Sequence, residues 1–193
     1  MKCVKCRKEA RVHMDTFDAC DSCFRKIIER RVRKEIRLNR LIEKNDNIMV
    51  IDDGTAEAKL GLYLLKKITG NLPLKILATR KKYALGEEIK GSFNKVIIPW
   101  DADKEGEYLL GCFLENKKPR YLSHFRLKNK HYVKLLAHVM HKEAAEFCRI
   151  SRIKFTDKKT TSLASEMIDK LQKDFPEITF SLVKSSEELK KII

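Results

Sequence analysis

No stretch of this 193-residue sequence approaches the run of about 18 apolar residues that a membrane-spanning helix needs. The opening residues, Met1-Lys2-Cys3-Val4-Lys5-Cys6, hold no apolar segment of the signal-peptide kind. Lipidation motifs, internal repeats and low-complexity tracts are absent too. Negative charge is scarce: 27 Asp and Glu stand against 42 Lys and Arg, a net charge of +15. These absences argue against a helical membrane protein, a solenoid and a disordered tail. The expectation is a cytoplasmic protein in a reducing compartment, where clustered cysteines take metal in preference to disulfides.

The rest of the composition is that of a folded chain, 43% hydrophobic and 36% charged. Its length suits one main domain with a small appendage. The excess of positive charge attracts polyanions, because each neutralised phosphate releases condensed counterions. Nucleic acid is therefore a better candidate partner than an acidic membrane surface.

Four of the six cysteines form two matched pairs, Cys3-x-x-Cys6 and, thirteen residues later, Cys20-x-x-Cys23. Each pair can reach one ion from a tight turn, and together they complete a tetrahedron with no open position. So short a segment cannot order itself by apolar burial, so the expected ion is structural, with zinc ahead of iron. Cys112 and Cys148 fall alone on apolar helix positions and read as small buried hydrophobes. His138 and His141 are spaced for one helix face, with no carboxylate beside them in sequence, which suggests a surface or core pair.

After the cysteines, residues 24–41 read as a helix, with Phe24, Ile28, Val32 and Ile36 forming its apolar stripe. Its other faces are basic; Arg30, Arg33, Lys34 and Arg37 are candidate nucleic-acid contacts. A hinge at 43–47 divides a zinc module with its basic helix (1–45) from an α/β domain (46–193). In that domain, 48–51, 74–78 and 96–99 read as strands and 55–69 as a helix closed by Gly70-Asn71. A further helix runs through 108–110. A basic loop spans 117–130, helices cover 142–148 and 161–173, and a strand covers 179–183. Alternation of this kind predicts a parallel sheet with helices packed on it.

The runs Lys2-Cys3-Val4-Lys5-Cys6, Ala19-Cys20-Asp21-Ser22-Cys23-Phe24 and Asn39-Arg40-Leu41-Ile42 resemble the cytoplasmic tRNA 2-thiolation protein family. So do the stretches 156–163, 171–176 and 185–189 near the other end and, more weakly, 135–147. The likeness is to the second, non-catalytic subunit of the wobble-uridine thiolase. It implies an adenine-nucleotide α-hydrolase-like fold whose active members carry a pyrophosphate loop, Ser-Gly-Gly-x-Asp-Ser. Here that place reads Asp52-Asp53-Gly54-Thr55-Ala56-Glu57, so only Gly54 matches, and carboxylates stand where phosphate would sit. No ATP binding is expected. Nor do Cys112 and Cys148 suffice for the extra iron–sulfur cluster of the catalytic members. The resemblance thus implies a subunit without chemistry of its own. Its partners would be an active thiolase, tRNA and a ubiquitin-like sulfur carrier.

The run Asp101-Ala102-Asp103-Lys104-Glu105-Gly106-Glu107 resembles instead the acidic signature of the topoisomerase–primase metal domain. In that reading Asp101 and Asp103, with Asp52 or Asp53, hold a second metal for nucleic-acid chemistry. The plainer reading is a capped helix N-terminus. A third reading is a zinc-module adaptor that simply binds RNA.

Overall fold

The computed structural model describes residues 1–157 and 161–192. Lys158, Lys159 and Thr160, within the stretch 156–163 singled out above, lie outside the described residues. The chain opens with a small antiparallel hairpin of β1 (Val12–Met14) and β2 (Phe17–Ala19), in the register Val12 to Ala19. Helix α1 (Asp21–Leu38) follows and buries Phe24, Ile28 and Val32. Spacing by four residues drifts about 40° per step around a helix. By the fourth turn the inward position has passed from Ile36 to Glu35, which is buried.

Helix α1 ends at Asn39, with Arg40 in the left-handed region (φ 47°) and the Leu41 N–H closing back on the Ile36 carbonyl. The α/β part then runs β3 (Asn47–Asp52), α2 (Ala56–Thr69), β4 (Lys75–Arg80), β5 (Lys95–Ile97) and α3 (Ala102–Leu114). It continues through β6 (Phe125–Leu127), β7 (Lys130–Val133), α4 (His141–Ile150), α5 (Leu163–Asp174) and α6 (Ile178–Lys190).

The five-stranded sheet has the order β4-β3-β5-β7-β6. Its first four strands are parallel, and β6 pairs antiparallel at the edge. On one face Ile48, Val50, Ile97 and Val133 share a core with Leu60 and Leu64 of α2, Phe147 of α4 and the apolar stripe of α1. Ile51, Val96, Ile98 and Tyr132 point the other way, toward Ile89, Phe93 and Phe125. That split follows from the two-residue period of a strand. Helix α3 packs on α5 and α6. Gly106 permits the close approach of α6, since a Cβ there would lie 3.2 Å from Leu182 Cδ1.

The segment 179–183 is not a strand but part of α6. Thr179, Val183 and Ser186 are its buried residues, a spacing of four and three that only a helix puts on one side. The basic loop 117–130 contains β6 and leads into β7, so part of it is sheet. Gly70 caps α2 in a right-handed conformation (φ −54°), and Leu72 closes on the Thr69 carbonyl.

Connections leave β3 toward β4 on one side and return to β5 on the other. This is a topological switch point, where open α/β sheets form a crevice at the carboxyl ends of the strands. Asp52–Glu57 follow β3 there, and Asp101 and Asp103 follow β5.

Candidate functional site

The turn at 3–8, ahead of hairpin β1–β2, and the start of α1 bring the sulfurs of Cys3, Cys6, Cys20 and Cys23 within 4.8 Å of one another. Cys6 and Cys20 are 3.6 Å apart. Sulfurs bound at about 2.3 Å to one tetrahedral ion stand about 3.8 Å from each other, so the donor set fits a single four-coordinate ion. The Cys20 backbone N–H holds the Cys3 thiol down to about 6. Cys23, hydrogen-bonded to Cys20 amid the other thiols, is pushed up to about 12. A cation at the centre relieves that opposition by favouring all four thiolates. Cys112 and Cys148 are buried, and Cys148 donates to the Ala56 carbonyl. Burial pushes Cys148 up to about 12, which suits an inert thiol.

At the switch point the loop after β3 turns through Gly54, at φ +86°. Two of its N–H groups are already in use. The Gly54 N–H donates to Asp52 Oδ1 (3.0 Å) and the Thr55 N–H to Asp53 Oδ1 (3.1 Å). Thr55 Oγ1 also donates to Asp53, at 2.7 Å, and Thr55 accepts the Ala58 N–H as N-cap of α2. Lys59 holds the other oxygen of Asp52 at 2.6 Å. Two carboxylates thus take two of the loop's backbone donors at the start of α2.

Glu57 does not face that loop's donors; it lies 2% exposed beneath it. Its Oε1 meets His141 Nδ1 at 2.5 Å, and Lys104 Nζ lies 3.7 Å from Oε2. Burial opposes the charge of Glu57, yet the His141 contact holds its carboxyl below the ordinary range. Burial and the neighbouring acids push Asp101 well above that range. Asp101 is the N-cap of α3, accepting the Lys104 N–H at 2.8 Å, while Asp103 accepts the His141 N–H at 2.6 Å. The acid that meets Asp101 is therefore Glu57, whereas Asp52 and Asp53 serve their own loop.

The histidine pair is corrected in the same way. His141 begins α4 and His138 precedes it, so they do not share a helix face, and both sit among carboxylates distant in sequence. His138 lies between Glu187 of α6 (3.0 Å) and Glu35 of α1 (3.3 Å), and Glu35 also receives His124 at 2.7 Å. Hydrogen bonds to Glu187 and Glu35 raise His138 to about 9. Burial works against the Glu35 charge, but the two histidines bring it to about 2.

This network lines a groove of about 1680 Å³ between α1, hairpin β6–β7 and the end of α6. Nine Lys and Arg border it against four Glu, among them Arg120, Arg126, Lys128 and Lys190. Arg30, Arg33, Lys34 and Arg37 are all exposed, and Lys34 also lines the groove. Arg31 turns inward to Glu143, at 2.7 and 2.9 Å. Among the described residues, no helix is long and apolar enough to cross a membrane.

No family model matches the chain. A curated relative, the tRNA-5-methyluridine(54) 2-sulfurtransferase of Pyrococcus horikoshii, is 31% identical over 74 residues. That stretch covers 37% of this chain and only 24% of the relative. Among solved structures, the U34-tRNA thiolase NcsA from Methanococcus maripaludis, with its [4Fe-4S] cluster, aligns with a TM-score of 0.79 at 17% identity. The alignment covers 100% of this chain and 88% of that one. The chain therefore has the α/β fold of that thiolase, headed by a four-cysteine group.

Proposed function

We propose that this chain is a non-catalytic component of tRNA wobble-uridine 2-thiolation, pairing with an active thiolase and helping to hold tRNA. The observation that carries this reading is the filled loop: Asp52 and Asp53 occupy the donors that a nucleotide phosphate needs. The thiolase fold, the partial likeness to a tRNA sulfurtransferase and the net charge of +15 support the link to tRNA. The ion of the four cysteines is zinc. Sulfurs this close together suit one ion, whereas a cube of four irons and four sulfides holds its cysteines further apart.

Two experiments test the reading. The isolated chain is mixed with ATP and tRNA; no AMP is transferred to the RNA, and calorimetry detects no micromolar ATP affinity. Detectable AMP transfer overturns the non-catalytic assignment. Affinity purification from native cells then recovers an active thiolase with an intact loop together with tRNA. If neither is retained, the assignment to a thiolation complex fails.

A further inference from the structure

The switch point brings together more than a filled loop. Glu57, Asp101 and His141 each begin a different helix, α2, α3 and α4, and each offers a ligand atom within 4.8 Å of the other two. We propose that these three side chains bind one divalent first-row cation, of the Mn²⁺ or Zn²⁺ type.

Three observations carry this site, and none depends on the thiolation reading. The first is an orphan. Asp101 is 1% exposed; its Oδ1 takes the Lys104 N–H, but its Oδ2 is closed from solvent and has no hydrogen-bond partner. A buried carboxylate oxygen left in that state is costly, and the side chain lies against Glu57, a second buried acid. A proton on Asp101 or a bound cation must stand between the two acids.

The second observation concerns charge. Lys104 is the ammonium closest to hand, yet it sits 3.7 Å from Glu57 and donates to the Pro99 carbonyl at 3.0 Å. Lys104 and a protonated His141 set two positive charges against the three carboxylates of Glu57, Asp101 and Asp103, whereas Lys104 and a dication beside a neutral His141 balance all three.

The third is the setting of His141. Its Nδ1 points to Glu57 and its Nε2 to Asp157 Oδ1, at 3.0 Å. Metal-binding imidazoles commonly donate their second N–H to a carboxylate that orients the ring, the part Asp157 takes here, while Nδ1 faces the acid that would share the ion. Asp157 is half-exposed, which gives an ion a way in. One imidazole nitrogen with carboxylate oxygens favours a first-row transition ion over Mg²⁺ or Ca²⁺.

The test uses the full chain with its four-cysteine site already loaded and Mn²⁺ as the probe, because this hard ion leaves thiolates alone. Free Mn²⁺ is followed by electron paramagnetic resonance. The expected result is one saturable Mn²⁺ per chain, weakened at least ~10-fold by Asp101→Asn or His141→Ala and about 10-fold by Asp157→Asn. Circular dichroism confirms that each variant is folded, and if one is not, the others assign the bound ion, because Glu35, His138 and Glu187 form a second candidate donor set. No saturable uptake by the wild type up to millimolar Mn²⁺ overturns the site, as does unchanged uptake by folded His141→Ala. If Asp101 and Glu57 share a proton instead, the wild type takes up no Mn²⁺ and Asp101→Asn melts no lower; that result also overturns the proposal.

Discussion

Lys134 Nζ lies 2.6 Å from Glu105 Oε2, and neither side chain is more than 1% exposed. The ammonium also donates to the Tyr121 carbonyl and lies over the rings of Trp100, Tyr108 and Phe125. Glu105 in turn accepts from Trp100 Nε1, the Ser123 N–H and Ser186 Oγ. This one carboxylate ties α3 to the hairpin and to α6. Replacing Lys134 with Met leaves a buried charge without its partner and should cost roughly 3–5 kcal/mol in denaturant unfolding. The double variant Lys134→Met/Glu105→Leu should recover a clear part of that loss. Independent, additive losses in the two single variants would mean that the pair is not coupled.

The Glu35–His138–Glu187 bridge makes stability depend on pH in a definite direction. Folding raises His138 from 6.5 to about 9. A raised histidine contributes stability that is complete below its unfolded value and is lost as pH climbs through the folded one. Melting temperature should therefore fall between about pH 6.5 and pH 9. Glu35 and Glu187 face His138, and His124 shares Glu35, so the difference must be read against His138→Asn. That variant should be less stable at pH 6 and lose less on going to pH 9. Parallel curves for the two proteins would exclude His138 as the source.

Loss of the cysteine ion should unfold its surroundings locally. Cys3→Ser or Cys20→Ser should abolish the stoichiometric zinc and remove amide protection from β1 and β2, since a structural site contributes on the order of 10 kcal/mol to so small a unit. Metal analysis and hydrogen exchange check this, and full stoichiometry in both variants contradicts it.

If the exposed face of α1 tracks a phosphate backbone, Arg30→Ala/Arg33→Ala/Arg37→Ala should weaken tRNA binding with little sequence preference. The log–log salt slope should flatten by about one unit per lost contact. Titrations with and without an active thiolase separate direct contact from help given to the partner. Unchanged slopes in both settings would leave the groove beside Arg120 and Arg126 as the place to look.

Much of the architecture could be read from local pattern. Phe24, Ile28 and Val32 announce α1, and the unbroken apolar run Ile48–Ile51 announces a central strand, because burial on both faces erases alternation. The error at 179–183 came from a short apolar run whose helical period shows only once Ser186 is counted as buried. The site was less legible. Local spacing brought out the cysteines, but His141 meets Glu57 across 84 residues and His138 meets Glu187 across 49. No window along the chain contains such pairs. Lys134 escaped for another reason: a lysine is almost never fully buried, so nothing in its neighbours marks it as a core residue.

The carboxylates of the loop after β3 also change what kind of obstacle a nucleotide meets. Asp52 and Asp53 are each joined by the chain to the very N–H group they occupy, two residues away. They act as tethered competitors whose effective concentration is fixed by the backbone, not by the solution. A mobile phosphate has to outweigh that effective concentration before it displaces them, so such a loop discounts a dilute anion and yields only to an abundant one.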